Sequence, residues 1–122
     1  MPKVLIVDDE PGVARALQRT LRGAFDVQVA SCPIAALAML ETFAPDVVIS
    51  DFKMPVMSGV ELLSQVRQRM PSCVRVLLSG ETDSASIEMS VSQGLVARFL
   101  HKPWDDDLTE VVAGILPKDE AA

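Results

Sequence analysis

Short apolar runs alternate with amphipathic stretches five times along the chain. The runs lie at Lys3–Val7, Phe25–Val29, Asp46–Ser50, Val74–Leu78 and Val96–His101. The first, Val4-Leu5-Ile6-Val7, and the third, Val47-Val48-Ile49, are continuous, which is how strands read when both faces are covered. In the second run Phe25, Val27 and Val29 alternate with polar residues, which places that strand nearer a sheet edge. The alternation predicts an α/β chain with a parallel five-stranded sheet and helices on both faces.

The intervening stretches carry helix signals. Pro11 suits a first turn, where its missing N–H costs nothing. Val13, Leu17 and Leu21 share one face, and Gly23 is placed to end that helix. Ser31 can cap the second helix, with Pro33 in its first turn and Ile34, Leu37, Ala38 and Leu40 or Glu41 at helical spacing. Ser58 and Glu61 match a capping box for a third helix that buries Leu62, Leu63, Val66 and Met70. A fourth helix, about Asp83 to Gln93, has only Ile87, Met89 and Val91 as anchors, so it is expected among the looser elements, with Gly94 as its cap. Asp105, Asp106 and Asp107 favour the positive end of a last helix striped by Leu108, Val111, Val112 and Ile115. Pro117 ends it, and 118–122 read as a tail or the start of a linker.

The 122 residues fit a single domain, 1–122, with a core from about 3 to 116. A hydrophobic share of 49% with 23% charged residues excludes a disordered chain. The net charge of −6, without a basic patch, argues against direct nucleic-acid binding. No apolar run approaches the ~20 residues that span a bilayer, and acids arrive at Asp8, too soon for a signal peptide. A cytoplasmic, membrane-free protein is expected. Cys32 and Cys73 lack metal-ligand spacing and His101 is the single histidine, so two reduced thiols are expected rather than a zinc site.

Chemistry enters where the strands stop. Ligands of open α/β sheets sit beyond the carboxyl ends of the strands. Asp8 and Asp9 end the first run, Asp51 the third, Ser79 the fourth and Lys102 the fifth. Grouped carboxylates raise one another's pKa unless a cation lies between them. A few hard oxygen ligands suit Mg²⁺, which also neutralises charge on a transferring phosphoryl group. Lys102 adds a second positive charge and Ser79 a hydroxyl donor. Asp51, in the middle, is then a candidate acyl-phosphate nucleophile.

Asp8-Asp9, Asp51-Phe52-Lys53-Met54-Pro55 with Met57-Ser58-Gly59, Ser79-Gly80 and Lys102-Pro103 resemble, in order and over the whole chain, the signature of response-regulator receiver domains. The resemblance implies a flavodoxin-like (βα)5 three-layer sandwich with strand order 2-1-3-4-5. It implies a two-component switch that is not a turnover enzyme and catalyses only its own phosphorylation and dephosphorylation. Asp51 would accept a phosphoryl group from a sensor histidine kinase or a phosphotransfer protein. Asp8, Asp9, Asp51 and the backbone carbonyl of Lys53 would hold Mg²⁺, with Mn²⁺ as a substitute. Lys102 and Ser79 would bind the phosphoryl oxygens, and Phe99 stands at the switch aromatic. The face made by the fourth helix, fifth strand and fifth helix would change, toward an effector or a second copy of the chain. Lys102–Pro103 is expected to be cis.

Some positions depart from the common pattern. Ser79 replaces Thr, and Phe99 lacks the hydroxyl of Tyr. Phe99-Leu100-His101-Lys102-Pro103-Trp104 is similar to receivers ahead of HD-GYP phosphodiesterase domains or within hybrid kinases. Lys53 and Glu81 stand where the family tunes phosphate lifetime, and their opposite charges suggest an ion pair over Asp51. His101 reads as an exposed strand residue, Trp104 as a lid without chemistry, and Met54 and Met57 as loop packing. Two rival functions are weaker. A haloacid-dehalogenase-type phosphatase would carry an acid where Lys53 stands, and a flavin-binding module would meet Asp8-Asp9-Glu10 where it needs a phosphate loop.

Overall fold

The computed structural model describes residues 1–80, 88–89, 91–102 and 107–116. Five parallel strands form one sheet in the order β2-β1-β3-β4-β5. They are β1 (Lys3–Val7), β2 (Asp26–Ala30), β3 (Val47–Asp51), β4 (Val74–Ser79) and β5 (Arg98–His101). Among the described residues four helices are bounded at both ends, α1 (Pro11–Leu21), α2 (Pro33–Phe43), α3 (Gly59–Arg69) and a C-terminal α4 (Leu108–Ile115), and residues 88–89 and 91–92 are also helical.

Strand alternation splits the core in two. Val4 and Ile6, Val47 and Ile49, Val76 and Leu78, and Leu100 face one side, where Ala14, Leu17 and Leu21 of α1 and Leu108 and Val112 of α4 cover them. Leu5, Val7, Val48 and Leu77 face the other, under Leu40 and Phe43 of α2 and Leu62, Leu63 and Val66 of α3. The continuous apolar runs of β1 and β3 follow from this, since every side chain of an inner strand meets a helix layer. The alternating β2 is an edge strand, as its pattern predicts.

Several local expectations change. The cap of α2 is Cys32, whose Sγ accepts the Ala35 N–H at 3.5 Å, and not Ser31. The buried face of α2 is Pro33, Ala36, Leu40 and Phe43, while Ile34 and Ala38 are exposed. That helix is apolar nearly all round, so its composition cannot say which stripe turns inward. Gly23 does not provide a left-handed stop; α1 ends at Leu21 with Arg22 still in a right-handed conformation. Gly94 does take the left-handed conformation, at φ 74°. Before it, Met89 and Val91 are helical and exposed, so neither anchors the core as expected. Ser58 caps α3 as its capping box predicts, accepting the Glu61 N–H at 3.2 Å. Asp107 caps α4, accepting from Thr109 N–H at 3.1 Å. The expectations for Asp83, Ile87, Asp105, Asp106, Pro117 and the tail lie outside the described residues.

Candidate functional site

Alternation also aims the functional side chains. Asp8 follows Val4 and Ile6 on the α1 side, Asp51 follows Val47 and Ile49, and Lys102 follows Leu100. Continuing each strand by two residues therefore brings three charged groups to one end of one face. Asp8 and Asp51 are 1% and 5% exposed, a degree of burial that carboxylates rarely accept without a partner.

The partner is Lys102. Its Nζ lies 2.9 Å from Asp51 Oδ1, 3.3 Å from Asp8 Oδ2 and 3.6 Å from Glu10 Oε1. Asp51 Oδ1 also accepts the Phe52 N–H at 3.0 Å, and Asp8 Oδ1 accepts the Glu10 N–H at 2.9 Å. Asp8 Oδ2 is buried and has no well-aligned hydrogen-bond donor, and its ion pair with Lys102 is the longer of the two that the ammonium makes with buried carboxylates. Burial pushes the Asp8 carboxyl above the usual carboxylate range. The Glu10 N–H and Lys102 pull it down, and Asp51 pushes it up. Burial by itself would lower the Lys102 ammonium, but its contacts with Asp51 and Asp8 outweigh that and raise it.

Asp8, Asp9 and Asp51 each offer a carboxylate oxygen, and these oxygens lie within 4.8 Å of one another. Asp9 is exposed, which leaves the cluster open to solvent on one side. The orphaned Asp8 Oδ2, hard oxygen donors and an acid destabilised by burial together fit a small divalent cation. One ammonium cannot neutralise three carboxylates, and a bound cation would complete the charge balance.

The loop after β3 is held tightly. The Gly59 N–H donates to the Phe52 carbonyl at 2.8 Å, and the buried Ser50 hydroxyl donates to the Asp51 carbonyl at 3.0 Å. A Cβ on Gly59 would strike the Asp51 carbonyl oxygen and come within 2.9 Å of Leu77 Cδ1. The start of α3 is thus pressed against the Asp51 backbone. Inside the loop, Val56 takes φ 76° and the Met57 N–H donates to the Pro55 carbonyl at 2.8 Å, a strained three-residue turn. A cleft of about 500 Å³ lined by Phe52, Lys53, Met54, Pro55 and Ser58 borders this loop.

The family model described as the response regulator receiver domain matches residues 4–113. The chain belongs to the response regulator receiver domain family. This receiver domain is 40% identical over 104 residues to the hydrogenase transcriptional regulatory protein HoxA of Cupriavidus necator, a match that covers 85% of the chain and 22% of that protein. The chain therefore spans less than a quarter of that relative's length. The signal receiver domain of an HD domain-containing protein from Pseudomonas fluorescens superposes with a TM-score of 0.82 at 34% identity, covering 92% of this chain and 90% of that one. The chemotaxis protein CheY4 of Vibrio cholerae superposes with a TM-score of 0.85 at 30% identity, over 95% and 99% of the two chains.

Of the predicted site residues of the receiver domain, Asp8, Asp9, Asp51 and Lys102 meet at one point. Ser79 closes the neighbouring β4, buried, and its carbonyl accepts the Lys102 N–H at 3.0 Å. Lys53 is exposed in the loop two residues past Asp51. Phe99 is half-buried on β5, neither core nor fully outside. Met54 and Met57 pack partly against the core, as expected of loop residues. Cys32 and Cys73 are free thiols, and burial pushes Cys73 up to about 11, which keeps it protonated. Glu81, and with it the Lys53–Glu81 pair, lies outside the described residues, as do Trp104 and the Lys102–Pro103 peptide bond. Among the described residues no helix is long and apolar enough to cross a membrane.

Three features escaped sequence reasoning. Glu10 joins the acidic group around Lys102, and its place directly after Asp8-Asp9 was the available signal. The fit of Gly59 against Asp51 and the turn at Val56 had none, since each depends on where a distant or strained backbone runs.

Proposed function

We propose that the chain is the phosphoacceptor of a two-component system, with Asp51 as the acceptor. One Asp51 oxygen attacks the phosphorus of a partner's phosphohistidine. The new bond is the acyl O–P bond, the P–N bond breaks, and the departing imidazole nitrogen keeps the electron pair and takes a proton. Lys102, already 2.9 Å from Asp51, would move with the charge from carboxylate to phosphoryl oxygens. Ser79, at the adjacent strand end, would donate its hydroxyl to the same group.

Asp8, Asp9, Asp51 and the Lys53 carbonyl would hold Mg²⁺, which when bound neutralises charge on the phosphoryl oxygens. Phosphorylation adds roughly two negative charges, and the pull on Ser79 and Lys102 would shift the loops after β4 and β5. The fourth helix expected at about Asp83 to Gln93, β5 and the C-terminal α4 would then form the changed face, with Phe99 turning inward. That face would meet a downstream effector or a second copy. We place the protein in the cytoplasm, with a sensor histidine kinase or phosphotransfer protein as donor, and regard it as a switch rather than a turnover enzyme.

The observation that carries the proposal is a buried Asp51 sharing one site with two further aspartates and Lys102. Mass spectrometry after incubation with acetyl phosphate and Mg²⁺ tests it. The wild type should gain one phosphoryl group and Asp51→Asn none. Equal gain by both proteins would place the acceptor elsewhere.

A further inference from the structure

His101 is the one histidine of the chain, and nothing in the phosphoryl chemistry above uses it. Its ring centroid lies 4.7 Å from that of Phe99, with the planes at 76°, an edge-to-face pair. The two residues alternate onto the same face of β5, which has β4 on one side and, among the described residues, no strand on the other. Across the ladder Phe99 pairs with Leu77 and His101 with Ser79. Leu77, Ser79, Phe99 and His101 thus form a two-by-two patch, with adjacent strands about 4.8 Å apart.

His101 therefore touches the switch from three directions. Its ring meets Phe99, its backbone lies in register with Ser79, and its chain neighbour Lys102 holds Asp51 at 2.9 Å and bonds the Ser79 carbonyl at 3.0 Å. Phe99 has no polar atom to keep it at the surface, yet it is only half-buried, and the exposed His101 ring is packed on it.

We propose that His101 is a positioning residue that latches Phe99 in its half-exposed conformer while Asp51 is unphosphorylated. The aromatic contact does what a hydroxyl on Phe99 would otherwise do. When Ser79 and Lys102 are drawn toward a phosphoryl group, His101 shifts with its strand, the pair opens and Phe99 is released inward. This inference rests on the proposed phosphoacceptor function.

A single histidine makes the test direct, because its ring signals in a ¹H–¹³C NMR spectrum need no assignment by mutation. Phe99→Leu should move the His101 ring signals in the resting protein through loss of the ring current. Mg²⁺ and beryllofluoride, a phosphoryl mimic followed by ¹⁹F NMR, should move the wild-type signals in the same direction. His101→Ala should be phosphorylated by acetyl phosphate about two- to tenfold faster, the factor an edge-to-face pair supplies. His101→Tyr should return the rate to that of the wild type, and His101→Asn should not. His101 signals unchanged in Phe99→Leu, or a rate that His101→Ala leaves alone, would overturn the latch. Beryllofluoride bound with the His101 signals unmoved would overturn the latch and spare the phosphoacceptor reading. Beryllofluoride that does not bind at all would overturn both.

Discussion

Replacing Asp8 with Asn should stabilise the metal-free protein while abolishing its response to Mg²⁺. The Asp8 and Asp51 oxygens lie within 4.8 Å, and at an effective dielectric of about 20 two such charges repel by roughly 3.5 kcal/mol. Asp9 adds a smaller repulsion, screened because it is exposed. Lys102 at 3.3 Å attracts Asp8 by roughly 5 kcal/mol on the same scale. Repulsion and attraction nearly cancel, and the desolvation of a carboxylate only 1% exposed remains as the cost. Asn keeps the acceptor for the Glu10 N–H and puts a neutral amide where Oδ2 is orphaned. The expected gain is about 1–2 kcal/mol, or roughly 3–10 °C in Tm.

The raised pKa of Asp8 fixes the pH dependence of that gain. Between its unfolded and folded values the native state binds more protons, so Asp8 favours folding below the unfolded value. That contribution is lost as pH rises through the folded value. The advantage of Asp8→Asn should thus be full at neutral pH and shrink on acidification. Thermal melts of both proteins in EDTA and in excess Mg²⁺ provide the assay. Mg²⁺ should raise the wild-type Tm by ligand linkage and leave the variant's where it was. An Asp8→Asn protein less stable than the wild type in EDTA would refute the electrostatic reasoning. A variant that still gains from Mg²⁺ would refute the role of Asp8 as a ligand.

Gly59→Ala should destabilise by about 2–4 kcal/mol in urea titrations and slow acetyl phosphate labelling of Asp51, because the new methyl strikes the Asp51 carbonyl. Unchanged labelling would mean that the α3 start does not position Asp51. Val56→Asn should stabilise by about 1 kcal/mol, since Val56 is 86% exposed at φ 76° and Asn tolerates that conformation; a lower urea midpoint would show that the turn is not strained. The Arg75 guanidinium donates to the carbonyls of Leu95 at 2.6 Å and Cys73 at 2.9 Å. Arg75→Ala should cost about 2–3 kcal/mol and speed amide exchange around Leu95 and Val96. Arg75→Lys should recover less than half of that loss, because one ammonium cannot fork to two carbonyls.

Most of the active end was legible in one dimension. Strand alternation is a local property, and so is the abrupt passage from Val7 to Asp8, from Ser50 to Asp51 and from His101 to Lys102. Once the strands are parallel and in one sheet, those residues meet without further information. The order of the strands came from resemblance, because no local signal says which strand neighbours which. The cap of α2 was misplaced by one residue because Ser31 is the better intrinsic cap and Cys32 holds the position that the helix start requires.

The sequence by itself determined the helix and strand periods, the two-sided burial of the central strands and the charged residues at their ends, all set by neighbours within a few positions. The tertiary structure alone decided which stripe of the evenly apolar α2 turns inward. It also set the meeting of Gly59 with the Asp51 carbonyl, the grip of Arg75 on Leu95 and the packing of His101 on Phe99. Each of these depends on the exact placement of side chains or of backbone from separate segments. Close packing leaves no slack in such contacts, and a hydrophobic pattern does not encode them.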